Sequence, residues 1–348
     1  MRLLYASRGW SEHDRRFAAA WGAHGVTVVA LASDQGSPDD AAYPGPDFGE
    51  RLAAAVRDFR PHVVHAGPLT DVARTVIDVW EGPLIAMSWG FDLMDEVDAS
   101  DDLRGAARES IARADVVVVD NDAPRARASE LGATAAQLVQ FPWGVDLSFF
   151  SPGPQALRAE LGWDDDSFIV LCTRTHERIY GVGVLAEAFV AAAAEEPRLR
   201  LALAGSGSET EDLAAAVSPV SDRVAFLGRL DQHALLDAHR AADLYVSSSF
   251  VDGTSISLLE AMACGTPACV SSIPGNAEWI DPTTGLSFAP GDAAELAQQL
   301  LFAARNPREI GALAAAAASR VRDRADWGRT AHSLPGIAQR AIDAHAGR

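Results

Sequence analysis

The chain has 348 residues, enough for two domains with separate cores, and 48% of them are hydrophobic, the composition of a soluble globular protein. A formal net charge of −19 argues against nucleic acid and anionic membrane surfaces as main partners, since both select basic patches. All 29 basic side chains are arginine, so any phosphate must be held by guanidinium groups or by backbone N–H groups. No apolar run reaches about eighteen residues, and Met1-Arg2-Leu3-Leu4-Tyr5 lacks the layout of a secretory leader, which predicts a cytoplasmic protein without an integral membrane segment. Cys172, Cys264 and Cys269 show no metal-ligand spacing and read as reduced core thiols.

Apolar segments alternate with helix-period segments along the whole chain, the pattern of parallel α/β layers. Residues 2–7 predict a first strand, Arg8-Gly9-Trp10-Ser11 a turn, Phe17 to Trp21 part of a helix, and Val26 to Leu31 a second strand. This opening is Rossmann-like but lacks Gly-x-Gly-x-x-Gly, which speaks against a nicotinamide or flavin dinucleotide. A loop over Ser33 to Pro46 leads to a helix at 48–59, a strand at 62–66 and a helix at 72–79. The apolar segment from Pro83 then runs into Ser88-Trp89-Gly90-Phe91-Asp92, and a further strand covers 114–119. Ser151 to Pro154 is rich in proline and glycine and reads as a linker between domains 1–150 and 151–326, with 327–348 as a terminal helical segment.

The second domain restarts with a strand at 168–173, followed by Arg174 and a loop to Gly181, then a helix through Leu185 and Phe189. A strand at 199–203 ends in the Gly-rich turn Ala204 to Ser208, and one at 224–227 ends in Gly228-Arg229-Leu230. The stretch Ser247 to Pro267 organises this half. A strand at 244–246 feeds the turn Asp252-Gly253-Thr254-Ser255, and a helix over 256–263 stops at Gly265 and Pro267. A small-residue turn opening a helix gathers free N–H groups and the positive end of the helix dipole at one point, which suits a phosphate or diphosphate. Asp252 just before the turn, and Glu260 about a turn and a half into the helix, are placed to accept hydrogen bonds from sugar hydroxyls.

This joined pattern resembles the signature of retaining glycosyltransferases of family 4, in which two glutamates bracket the same turn and helix. Glu260, Ala261-Met262-Ala263, Gly265 and Pro267 are in register with it, and Asp252 stands in place of the first glutamate. Gln140-Phe141-Pro142-Trp143-Gly144-Val145-Asp146 is similar to the family's P-N-G-V-D element. The resemblance implies the GT-B fold: two Rossmann-like domains facing across a cleft, an acceptor-side domain at 1–150, a nucleotide-sugar domain at 151–326, and 327–348 crossing back to the first.

The same resemblance assigns roles. Arg174 matches the arginine that grips the donor diphosphate; the family's lysine falls on Tyr180, or on Ile179 if the loop is one residue longer, leaving Arg178 as the substitute cation. Asp252 would hold the sugar and Glu260 the ribose, with Gly253, Thr254 and Ser255 offering backbone N–H groups. Gly9 and Gly205 fall in turns beside the donor, and Arg229 and Leu230 beside the base. His13, which also reads as a surface histidine at a helix start, Trp89, in the place of the histidine of an H-G-x-D element, and Asp92 are acceptor-side candidates. The resemblance implies retaining transfer, with no metal and no cofactor, from a UDP- or GDP-linked sugar as co-substrate to a hydroxyl of a small molecule or glycan. The alternatives are a GT-B epimerase or phosphorylase, and a degenerate nucleotide-sugar-binding protein.

Overall fold

The computed structural model describes residues 1–348 and divides them into two compact units, Met1–Pro142 with Gly328–Arg348, and Trp143–Trp327. In the first unit β1 (Arg2–Ser7), β2 (Thr27–Ala32), β3 (Val63–Ala66), β4 (Leu84–Met87), β5 (Val116–Val119) and β6 (Leu138–Gln140) form one parallel sheet in the order β2-β1-β3-β4-β5-β6. The four valines of β5 are all buried, as a strand covered by helices on both faces requires. Leu52, Val72, Val76 and Ile111 from the surrounding helices close one face over Leu4, Val64 and Val117. On the other face Tyr5, Phe17 and Trp21 surround His65, whose Nδ1 accepts from Trp21 Nε1 at 3.2 Å. Burial pushes the His65 imidazole down to about 3, so it is neutral. The terminal helix Leu334–Ala346 buries Ile337, Ala338 and Ala341 within this unit.

The second unit repeats the plan. β7 (Phe168–Cys172), β8 (Leu199–Ala204), β9 (Val224–Gly228), β10 (Leu244–Ser247), β11 (Ala268–Ser271) and β12 (Leu286–Phe288) form a parallel sheet in the order β12-β11-β10-β7-β8-β9. Leu185 and Phe189 of the helix Val182–Glu195, with Leu296 and Leu300 of the helix Ala293–Arg305, cover one face. Leu258, Met262, Trp279 and Val321 fill the core on the other.

Most helices begin where their first residues dictate. Ser11 and Asp14 form a reciprocal capping box at the helix Glu12–Ala23, and Asp47 and Asp231 accept from Glu50 and Ala234 N–H at the helices Phe48–Phe59 and Gln232–Ala241. Two elements the periodicity does not reveal are β6 and β12, edge strands of three residues each, too short to display a period. The chain changes unit at Pro142, ahead of the Pro/Gly-rich stretch at Ser151. The segment 143–150, assigned by sequence to the first domain, folds with the second because its apolar residues find cover there. Val145 N–H donates to Ala325 O at 2.8 Å, Trp327 N–H donates to Val145 O at 3.0 Å, and Val145 and Phe150 are buried with Tyr245 and Met262.

Candidate active site

In the second unit the chain winds outward from β7 through β8 to β9, then returns to lay β10 on the opposite side of β7. Loops leaving the carboxyl ends of β7 and β10 therefore diverge and open a crevice between them. Arg174 follows β7, and the turn Asp252-Gly253-Thr254-Ser255 follows β10, so strand order alone brings these distant segments together. The helix Ile256–Cys264 starts at this crevice with Ser255 in extended conformation and no side-chain cap, leaving its first-turn N–H groups open, and it ends at Gly265 in the left-handed region.

Arg174 lies across the crevice floor. Its Nη1 donates to Ser255 Oγ at 3.1 Å and to Ser257 Oγ at 3.3 Å, its Nη2 stands 2.9 Å from Asp252 Oδ2, and its guanidinium carbon sits 4.0 Å from the centre of the Tyr180 ring. The pair is largely withdrawn from water, with the Arg174 side chain 11% and the Asp252 side chain 17% exposed. Nε of Arg174 is buried without a hydrogen-bond partner. Burial pushes the Asp252 carboxyl up, against the opposing pull of Arg174 and of the Gly253 N–H.

The loops around this pair are held by their own backbones. Phe250 N–H donates to Ile179 O at 2.9 Å, and Ser248 Oγ to Tyr180 O at 3.3 Å. Gly205 adopts φ +117°, and a Cβ there would lie 2.8 Å from Arg174 O. A Cβ on Gly275 would lie 2.2 Å from Gly253 O and 2.7 Å from Asp252 O, so only glycine lets the start of the helix Pro274–Ala277 press against the turn.

The other sequence candidates separate. Gly253, Thr254 and Ser255 are buried in the turn itself. Glu260 is 13% exposed, with Oε2 3.6 Å from Nε2 of the fully buried His239 in the helix Gln232–Ala241, neither of whose ring nitrogens has a hydrogen-bond partner. Arg178, in the turn Arg178–Tyr180, is exposed and carries no ion pair. Arg229 is exposed and Leu230 half-buried after β9, where Gly205 N–H donates to Gly228 O at 2.6 Å. Tyr180, Ser257 and His239 emerge as site residues only here: Ser257 and Tyr180 touch Arg174, and His239 backs Glu260. Their one sequence signal is the placement of Tyr180 at the family's lysine. Glu278, half-buried on a neighbouring loop, pairs with Arg324 at 2.8 Å.

In the first unit the equivalent crevice lies between β1 and β3. Arg8 occupies it, with Nε donating to Asp71 at 2.6 Å and both Nη atoms to Glu96 at 2.8 and 3.0 Å, beside the Phe91 ring at 5.0 Å. None of these was legible as a site residue. Gly9 follows Arg8 in the turn, and His13 is half-buried in the first turn of its helix. Asp92 departs from the acceptor-side expectation. It has no exposed surface, and its carboxylate accepts from Leu69 N–H at 2.8 Å, Ser88 Oγ at 2.7 Å and Trp89 N–H at 3.0 Å, so it ties the loops after β3 and β4 together. Burial pushes it up to about 6. Trp89, half-buried, presents its ring beside Gly67.

Residues 166–306, which contain Arg174, Asp252 and Glu260, match the family described as glycosyl transferases group 1. Residues 166–306 form a group 1 glycosyltransferase domain. Across 209 residues the chain is 29% identical to a GDP-mannose-dependent monoacylated α-(1-6)-phosphatidylinositol monomannoside mannosyltransferase of Corynebacterium glutamicum, covering 57% of this chain and 55% of that protein. Across 252 residues it is 30% identical to a D-inositol 3-phosphate glycosyltransferase of Saccharomonospora viridis, covering 68% and 58%. The chain thus spans little more than half the length of these relatives. The fold is GT-B: a sucrose-phosphate synthase from Thermosynechococcus elongatus superposes with a TM-score of 0.84 at 21% identity, over 99% of this chain and 100% of that one. The Anabaena protein HepE, solved in complex with UDP and glucose, gives 0.80 at 18% identity over 97% and 99%. No helix is long and apolar enough to cross a membrane.

Proposed function

We propose that the protein moves a sugar from a nucleoside diphosphate sugar to an acceptor hydroxyl, with retention at the anomeric carbon. The observation that carries this reading is Arg174, seated between Asp252 and the open N-terminus of the helix Ile256–Cys264 at the β7/β10 crevice. In this reading the bond from C1 to the diphosphate oxygen breaks and the bond from C1 to the acceptor oxygen forms on the same face, while the acceptor proton passes to the leaving phosphate oxygen. Charge gathers on that leaving oxygen, and Arg174 with the N–H groups of residues 253–255 meets it, which lowers the barrier without a metal. Arg178 supplies the second cation, Asp252 orients the sugar through its hydroxyls, and Glu260 holds the ribose. Gly205, Arg229 and Leu230 flank the nucleotide. Gly9, His13 and Trp89 belong to the acceptor side, where Asp92 shapes the loop from within.

Both relatives named above act on inositol-bearing acceptors, and one uses GDP-mannose, so inositol and its derivatives are the first acceptors to try with UDP- and GDP-linked sugars. The test is incubation with such a panel, following nucleotide release and the anomeric configuration of the product by proton NMR. Acceptor-stimulated release with an α-linked product from an α-linked donor supports the reading. An inverted product removes retention, epimerised donor points to an epimerase, and binding without turnover points to a binding protein.

A further inference from the structure

Two departures from the family pattern, aspartate for glutamate at 252 and tyrosine for lysine at 180, meet on one guanidinium group. Tyr180 covers a face of Arg174 at 4.0 Å, and Ser255 and Ser257 take Nη1. What remains is the edge formed by Nε and Nη2, the edge on which a guanidinium receives two oxygens of one phosphate. Asp252 stands 2.9 Å from Nη2, while Nε is buried and empty-handed. A phosphate that takes both nitrogens therefore meets the Asp252 carboxylate at Nη2 and competes with it there.

This competition has different consequences for a donor and for a spent nucleotide. Resting on the glycosyltransferase reading, the argument is that a donor brings a diphosphate for Arg174 and sugar hydroxyls for Asp252 together. A nucleoside diphosphate without its sugar satisfies Arg174 and leaves a carboxylate that is 17% exposed with the Gly253 N–H and the Ser255 hydroxyl but no cation. We propose that Asp252 is a specificity-determining residue, an internal competitor for Arg174 that makes the site favour the loaded donor over the spent nucleoside diphosphate. When the sugar leaves, Asp252 returns to Nη2 and promotes product release.

The experiment is calorimetric titration of wild-type protein and Asp252→Asn with UDP and GDP, their glucose and mannose conjugates, and the free nucleosides. Expected is nucleoside diphosphate binding about tenfold tighter in Asp252→Asn, with a smaller change for the sugar conjugate and no change for the nucleoside. The preference for donor over product then collapses. Should Asp252→Asn fail to fold, Asp252→Ser carries the same expectation. Wild-type protein that holds both ligands while the variant binds nucleoside diphosphate no more tightly overturns this inference alone. Wild-type protein that retains neither nucleoside diphosphate nor sugar conjugate overturns the glycosyltransferase reading, and this inference with it.

Discussion

Removing Arg174 should cost folding as well as turnover. Arg174→Gln leaves the Asp252 carboxylate, 17% exposed, without its cation and deletes the hydrogen bonds to Ser255 and Ser257. Breaking a buried pair from one side costs about 3–5 kcal/mol. The lower end applies here, because Asp252 keeps the Gly253 N–H and relieves part of the cost by taking up a proton, toward which burial already pushes it. The expected loss is about 3 kcal/mol in the second unit. Asp252→Asn alone should cost about 1 kcal/mol, since the amide oxygen still faces Nη2 and Arg174 keeps both serines. The double variant should lie near the milder single one, giving a coupling of about 3 kcal/mol. Two units need not unfold together, so the assay is native-state hydrogen exchange at pH 7 on amides of β7 and β10, which reads the second unit directly. Single-variant losses that add to within about 0.5 kcal/mol would refute the claim that the two side chains form one buried unit.

Other expectations follow from the same geometry. In the first unit Asp92, raised to about 6, binds a proton in the folded state between pH 3.8 and 6, so its contribution to stability falls as pH rises through that window. His65, lowered to about 3 from 6.5, acts in the opposite sense, contributing stability that is lost as pH falls below 6.5. The two slopes offset each other in the wild type; in Asp92→Asn, His65 acts alone and the first unit should lose about 3 kcal/mol between pH 6.5 and 4. Denaturant midpoints across that range check this, and a slope identical to wild type would contradict it. Gly275→Ala sets a methyl group 2.2 Å from Gly253 O, a backbone atom that cannot swing aside, and should cost about 2–3 kcal/mol and weaken nucleotide binding in a thermal-shift titration. Arg178→Ala, at an exposed and unpaired position, should leave the melting point unchanged and weaken nucleoside diphosphate binding about threefold to tenfold. An unchanged affinity would make Arg178 a solvated loop charge.

Local sequence chemistry determined the alternation of strands and helices, the parallel fold class, the helix starts at Ser11, Asp47 and Asp231, and the strand-turn-helix around Asp252, because each depends on residues a few positions apart. Glu260 and Gly265 were legible for the same reason, fixed relative to that turn by helix geometry. Where the chain changes unit was decided by tertiary packing, since Val145 and Phe150 are apolar in either domain and only their final neighbours place them. The inward turn of Asp92 was equally invisible: the same carboxylate in solvent or among three donors has one sequence and two environments. Strand order then did what no spacing reveals, setting β10 beside β7 so that Arg174 meets Asp252 across 77 intervening positions. The physical reason is that a side chain's type is local information, while its partner, its burial and hence its charge state belong to the packed chain.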